Sequence, residues 1–308
     1  MDVLTPEIRG PRPPATAATT AREKAADLWR LLRPQQWVKN VFVVPIGMLG
    51  VTAWNTAALD LAWALALFIA GSSAVYVVND IIDRDADRLH PVKRSRPVAS
   101  GRVPVSAAVV LAVALLAGVG LLMALRPIVD SWPVVAYLLL NVGYSFGLKR
   151  IAVLDIAIVA GGFALRYLQG SIAAEGEPSV LLAASVFAAC MMFAAGKRRH
   201  EIGLADTRHR SALAGYSVPF LDQLIGLAAV TTLLTYALHV NEIFSPGASG
   251  VFVLLSAVLV AGLVVRYLQL VLVKRQGGDP SKDIASDRVT IVVGIVTGVC
   301  LVVGTVLP

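Results

Sequence analysis

Nine apolar runs follow one another along this chain, more than a water-soluble fold of its length could bury. They fall at about 41–56, 61–82, 104–125, 132–148, 151–173, 180–196, 221–242, 250–273 and 289–307. A helix needs roughly 20 mostly apolar residues to cross a bilayer, and it satisfies its own backbone hydrogen bonds while doing so. Of the 308 residues, 57% are apolar and only 15% charged, against roughly 25% charged in soluble domains. The expected fold class is all-α: one polytopic membrane domain of about nine spans over residues 22–308. The runs at 41–56 and 132–148 are short or interrupted, so neither reads as a simple perpendicular span. Residues 1–21 carry a Pro, Ala and Thr stretch from Gly10 to Thr20 with little to bury, and are expected to be a disordered tail. Leu28, Trp29, Leu31 and Leu32 then alternate with Arg22, Lys24, Arg30 and Arg33, which predicts a short helix on the membrane surface. No apolar stretch precedes Val41, so the first span rather than a cleaved leader is expected to direct insertion.

Alternate connections of such a domain share one side of the membrane, and the basic residues test the count. Of the 27 Lys and Arg, 24 lie before Val41 or in the connections after the second, fourth, sixth and eighth runs. Arg166 and Arg266 lie inside runs, which leaves Arg126 alone on the other side, beside Asp60, Asp130, Glu175, Glu177 and Glu242. Lys and Arg collect on the cytoplasmic face. The N-terminus and the four basic loops are therefore expected in the cytoplasm and the C-terminus outside, in the plasma (inner) membrane. The net charge of +7 is then topology, and nucleic acid is excluded as a partner. Cys190 and Cys300 sit inside apolar runs without metal or disulfide spacing and read as small hydrophobes. Oligomeric state is not legible, and a homo-oligomer stays open.

Chemistry gathers where the second run ends. If that helix continues to about Leu89, Asp80, Asp83 and Asp87 at i, i+3 and i+7 share one face, with Asn79 beside Asp83. Three carboxylates so placed repel one another unless a cation sits between them, and hard oxygen ligands favour magnesium bridging to substrate phosphates. Lys93, Arg94, Arg96 and Arg102 follow at once, donors suited to phosphate oxygens. A solvated loop explains these basic residues equally well. It explains Asn79, Asp80 and Asp83 poorly, because they close an apolar run at near-bilayer depth, where carboxylates are costly.

The pattern Asn79–Asp80–x–x–Asp83–x–x–x–Asp87 resembles the first aspartate-rich motif of the UbiA-type intramembrane prenyltransferase superfamily. The fuller string NDIIDRDADRLHPVKRSRPVASG, with RPQQWVKNVFVVP before it, is similar to the decaprenyl-phosphate phosphoribosyltransferase branch. The resemblance covers about residues 30–308. It implies a cytoplasm-facing site in which Asp80, Asp83 and Asp87 hold Mg2+, with 5-phosphoribosyl-1-diphosphate as donor and a polyprenyl phosphate as acceptor. It also implies decaprenyl phosphate and a place in cell-wall arabinan precursor synthesis. Ordinary members carry a second aspartate-rich motif after the sixth span. Here Lys197, Arg198, Arg199, His200 and Glu201 stand there, followed by Asp206, Arg208, His209 and Arg210. That departure suits a substrate with an extra phosphate.

Further candidates come from position. Tyr144 and Lys149, five apart at the end of the fourth run, resemble the superfamily's polar rim; Tyr144 reads equally as an aromatic-belt anchor. Gln36, Lys39 and Asn40 fall at i, i+3 and i+4, and Lys39 is a candidate phosphate ligand. Asp155 and Arg166 are 11 residues apart, ~16 Å along a helix, so they cannot pair and each needs another partner. Arg166 reads as pocket support, a lipid-phosphate contact or interhelical pairing. Arg266 is expected to snorkel. Gly277 and Gly278 open a last basic loop, with Asp279, Lys282, Asp283, Asp287 and Arg288, read as a plain connection. Three rivals remain. An aromatic prenyltransferase of the same superfamily predicts a second acidic motif, which is lacking. A CDP-alcohol phosphotransferase needs a DG-x-x-AR signature, also lacking. A transporter predicts polar groups at mid-membrane in several spans, whereas here they gather at one face.

Overall fold

The computed structural model of the chain describes residues 21–44, 54–174, 176–203, 211–244 and 246–306. The tail from Gly10 to Thr20, Glu175, and Asp206, Arg208, His209 and Arg210 lie outside the described residues. Within them the fold is all-α. Eleven helices run in order: α1 Ala21–Leu32, α2 Trp54–Ile82, α3 Arg84–Leu89, α4 Val105–Ala124, α5 Trp132–Phe146, α6 Leu154–Ala173, α7 Val180–Gly203, α8 Val218–Ile243, α9 Ala248–Leu268, α10 Pro280–Ser286 and α11 Arg288–Val306.

Six of these are long and apolar enough to cross a membrane, and the apolar part of α11 is shorter. The count of nine is not confirmed among the described residues: besides α11, two runs give no crossing-length helix there. The fourth run forms only the 15 residues of α5, about 22 Å at 1.5 Å per residue and short of a ~30 Å hydrocarbon core. The first run begins inside a 3₁₀ segment, Pro34–Val43, and then leaves the described residues.

Two apolar clusters share one helix. Leu165 and Ala173 of α6 belong to a core with Phe68, Val134 and Tyr137, while Ile156 of α6 joins Met192, Leu221, Ile225 and Tyr267. The central stretch of α6 is 61% buried, against 17% for α4. Polar side chains on α6 are thereby forced to find partners inside protein rather than lipid.

Charges mark the two ends of the bundle. At one end Arg126 pairs with Asp60, and Gln169 donates to the Asp130 carbonyl at 2.8 Å. At the other, Arg102 and Arg30 hold Asp27, Arg33 reaches Asp80, Lys149 reaches Asp83, and Arg198 reaches Asp155. The connections expected to share a side are tied to one another at one end. Asp60 and Asp80 lie 20 residues apart on α2, ~30 Å by helical rise, which matches the apolar thickness of a bilayer.

As expected, Asp155 and Arg166 do not pair. Asp155 accepts from Arg198 at 2.7 Å and from the Tyr216 hydroxyl at 2.5 Å. Burial, with the Asp155 carboxylate beside it, pushes the Tyr216 phenol above its usual range, so it stays a donor. The same hydroxyl accepts the N–H of Val153, whose φ of +71° is unusual for a β-branched residue. Arg266, expected to snorkel, has a carboxylate partner at its own end of the bundle. It grips Asp287 with two hydrogen bonds of 3.0 and 2.6 Å, because the chain doubles back through α10 to start α11 beside it. The last loop is likewise ordered: Asp283 accepts from the Gly277 N–H at 2.8 Å. Gly277 has φ +119°, and a Cβ there would meet the Gly196 carbonyl oxygen at 3.0 Å, so only glycine fits.

Asp155 and Arg198 are almost wholly enclosed, at 1% and 6% side-chain exposure. Removing one member of such a pair strands the other and costs about 3–5 kcal/mol. Asp155→Ala is therefore expected to lower the thermal unfolding midpoint in detergent markedly. The double variant Asp155→Ala with Arg198→Met is expected to recover much of the loss.

Candidate functional site

The site begins with a kink. Helix α2 stops at Ile82, Asp83 takes φ −85° and ψ 2°, and α3 resumes at Arg84. Hydrogen bonds from Asp83 N to the Asn79 carbonyl (2.9 Å) and from Asp87 N to the Asp83 carbonyl (2.8 Å) keep the chain almost helical across it. The expected single face of three carboxylates is therefore not presented as one. Asp80 and Asp87 converge on one nitrogen of Arg96, at 3.2 and 2.6 Å, and Arg33 closes over Asp80 from the far side. Asp83 stands outside this clamp and takes Lys149 at 2.6 Å.

Local sequence explains how these partners arrive. Arg33 has φ +52°, and with Pro34 next it breaks α1 from the 3₁₀ segment, leaving its guanidinium 5.1 Å over the Tyr76 ring. Arg96 follows a short 3₁₀ turn, Lys93–Ser95, in a loop closed by Gly101 at φ +80°. Arg88 Nε donates to the Ala99 carbonyl at 3.0 Å, and Arg102 fastens the loop to Asp27 of α1. On the α5 side, Ser145 donates to the Asn79 side-chain oxygen, so the ends of α2 and α5 are joined.

Between those ends opens a cavity of about 340 Å³. Asn79, Asp83 and Asp87 form one wall, His90 and Lys93 the rim, and Tyr144, Lys149 and Arg150 the opposite wall. Lys93 Nζ stands 4.0 Å from Asp87. The Asp83 side chain keeps 35% of its surface exposed, while that of Asp80 keeps 3%. Among the described residues no three acidic or histidine side chains converge as a preformed cage. Asp83 and Asp87 still offer oxygens to the cavity, and such hard donors suit a magnesium ion that keeps several waters.

The remaining candidates fall elsewhere. Arg198 and Glu201 face each other at 2.8 Å and Asp155 holds Arg198, so this pair fastens α7 to α6 and does not line the cavity. Arg166 is buried and donates to Asn40 rather than to any carboxylate. Lys39 is half-buried; burial, and then the charges of Lys197, Arg166 and Arg33, hold its ammonium below the usual lysine range, with Asp279 offsetting part. Arg94 is exposed on the loop surface. Sequence reasoning passed over His90, Ser145 and Arg33's hold on Asp80. His90 carried a faint signal in its place between Leu89 and Pro91, just past the acidic helix end. The other two act across more than 40 residues and carried none.

The chain was compared with known proteins. The UbiA prenyltransferase family model matches residues 40–286. A Corynebacterium glutamicum protein named decaprenyl-phosphate phosphoribosyltransferase is 35% identical over 283 residues, covering 89% of this chain and 85% of that one. A Mycobacterium tuberculosis protein of the same name is 34% identical over 258 residues, covering 79% and 82%. The solved structure of a UbiA homologue from Archaeoglobus fulgidus bound to GPP and Mg2+ superposes with a TM-score of 0.72. It covers 90% of this chain and 98% of that one, at 17% identity, a likeness of fold.

The facing walls set two carboxylates beside ammonium and guanidinium groups, donor types that suit a hard cation and an anion respectively. A charge-assisted hydrogen bond contributes about 1.5–3 kcal/mol, so Lys149→Ala is expected to weaken binding of inorganic diphosphate with magnesium about tenfold or more. Isothermal titration calorimetry reads this directly, and an unchanged affinity would remove Lys149 from the ligand's contacts.

Proposed function

Since the chain belongs to the UbiA prenyltransferase family, we propose that it transfers a 5-phosphoribosyl group from 5-phosphoribosyl-1-diphosphate to a polyprenyl phosphate, releasing diphosphate. Its relatives' names point to decaprenyl phosphate as acceptor, and the product would feed cell-wall arabinan precursor synthesis. The observation that carries the reading is the cavity in which Asp83 and Asp87 face Lys93, Lys149 and Arg150. Basic residues from Lys197 to His200, where ordinary members are acidic, fit a donor with a separate 5-phosphate.

Asp83 and Asp87, with Asn79 beside them, would hold magnesium. When bound, that ion supplies charge neutralisation as diphosphate departs. Asp80 acts at one remove, fixing Arg96 and through it Asp87. Lys149 exchanges Asp83 for a donor phosphate oxygen, while Lys93 and Arg150 hold the rest of the diphosphate and Tyr144 donates its hydroxyl. Arg94 adds positive charge outside the rim. The acceptor phosphate is already an anion, so no side chain needs to act as general base. Its oxygen forms the bond to C1 as the bond from C1 to the diphosphate oxygen breaks, and attack from the opposite face turns the α donor into a β product. Water-soluble donor and membrane-borne acceptor meet at the cytoplasmic end of a single catalytic domain, residues 22–308.

The test is label transfer from 5-phosphoribosyl-1-diphosphate into polyprenyl phosphate by purified protein with magnesium. Loss of charge stabilisation of about 3 kcal/mol slows a reaction ~100-fold, and Asp83→Asn is expected to fall at least that far. Chelation of the metal is expected to abolish transfer. Activity from a prenyl diphosphate and an aromatic acceptor, with none from the phosphoribosyl donor, would overturn the reading and leave the family standing.

A further inference from the structure

Arg166 stands out as a buried charge without a counter-charge. The residue is 4% exposed on α6, and each of its hydrogen-bond partners among the described residues is neutral. Nε donates to the Asn40 side-chain oxygen at 2.8 Å, Nη1 to the Gly162 carbonyl at 2.8 Å and Nη2 to the Tyr137 hydroxyl at 3.2 Å. That accounts for three of its five N–H groups. The rings of Phe68, Tyr137 and Phe163 surround it at 5.3, 4.7 and 5.2 Å. A purely structural arginine on this helix would be expected to resemble Arg198, which Asp155 neutralises directly.

A second deficit lies against the first. Asn40 is fully buried, its oxygen is committed to Arg166, and its amide nitrogen has no hydrogen-bond partner. Burying unmatched donors and an unmatched cation is costly in each case, and here both occur at one contact. Lys39, the neighbouring residue, lies in the field of Arg166, Lys197 and Arg33, with Asp279 the acid that faces it. One anion placed here would satisfy the amide, the free guanidinium N–H groups and the surplus charge together.

We propose that Arg166, Asn40 and Lys39 form a second anion pocket, apart from the Asp83 cavity, that takes the phosphate monoester of the lipid acceptor. The inference rests on the proposed reaction for the acceptor's identity. The surroundings suit a lipid: aromatic rings enclose the guanidinium, and Phe163 meets Phe42 edge-on at 5.1 Å on a segment where Val41 is half exposed. An isoprenoid chain is compatible with that surface, whereas the soluble donor belongs in the polar cavity.

Asn40→Asp separates a ligand role from a structural one, because it gives Arg166 an internal carboxylate. A structural role would be preserved or strengthened, and the pocket would be filled from within. The expected result is an unchanged or higher unfolding temperature, with KM for polyprenyl phosphate raised at least tenfold and KM for 5-phosphoribosyl-1-diphosphate within about twofold. Lys39→Met, at a half-buried site, is expected to weaken the lipid in the same direction should Asn40→Asp fold poorly. Direct binding, without donor or metal, compares farnesyl phosphate, farnesol and inorganic phosphate on wild type and both variants. Farnesyl phosphate binding that both variants weaken supports the pocket even if transfer itself is never observed. Equal binding by all three proteins overturns it and leaves the proposed reaction intact. A raised donor KM with an unchanged lipid KM overturns it as well, assigning the pocket to the donor's 5-phosphate.

Discussion

One nitrogen of Arg96 holds two carboxylates on either side of a kink, and the arrangement of this end of the bundle depends on it. Asp80 and Asp87 are both nearly inaccessible to water, and unpaired they would repel each other across a poorly polarisable space. Arg96 can reach them only because residues 93–102 fold back over the helix end, and that loop is fastened in turn to Asp27 of α1. The acidic wall, the basic rim and the surface helix therefore stand or fall together. Asp83, left outside this clamp, is the most exposed of the three carboxylates and shares the cavity wall with Asp87.

Where local geometry settles a question, the sequence was enough to answer it. Helical rise alone separates Asp155 from Arg166, and each has the separate partner that this requires. The acidic helix end, the Lys149 and Tyr144 rim and the all-α class were legible because they follow from spacing and apolar length. What escaped depends on contacts far apart in the chain. Arg198, within a basic run that suits an extra phosphate, is held by Asp155, 43 residues earlier. The common face of Asp80, Asp83 and Asp87 divides at Asp83, where the helix breaks and Lys149, 66 residues away, takes the carboxylate. For Arg266, position in the run gives no hint of its partner Asp287, which the return of the chain brings to it. The count of nine is not confirmed among the described residues, since an apolar run need not be one continuous helix.

The site's carboxylates are already saturated with lysine and arginine. In a low-dielectric setting, that keeps each desolvated charge matched without any bound ligand. A phosphorylated substrate arriving with a divalent ion brings both signs at once, so each protein charge can exchange one partner for another with little net reorganisation. Such pre-pairing favours ligands that carry anion and cation together over either alone.

Asp60 and Asp80 sit on one rigid helix, ~30 Å apart by its rise, and each is tied to guanidinium at its own end of the bundle. The helix thereby works as a depth gauge. In a thicker bilayer the lipid must thin around it or the whole bundle must sink or tilt, and in a thinner one the cavity stands further into the water. Lipid composition thus sets how far the cavity between α2 and α5 stands from the surrounding water.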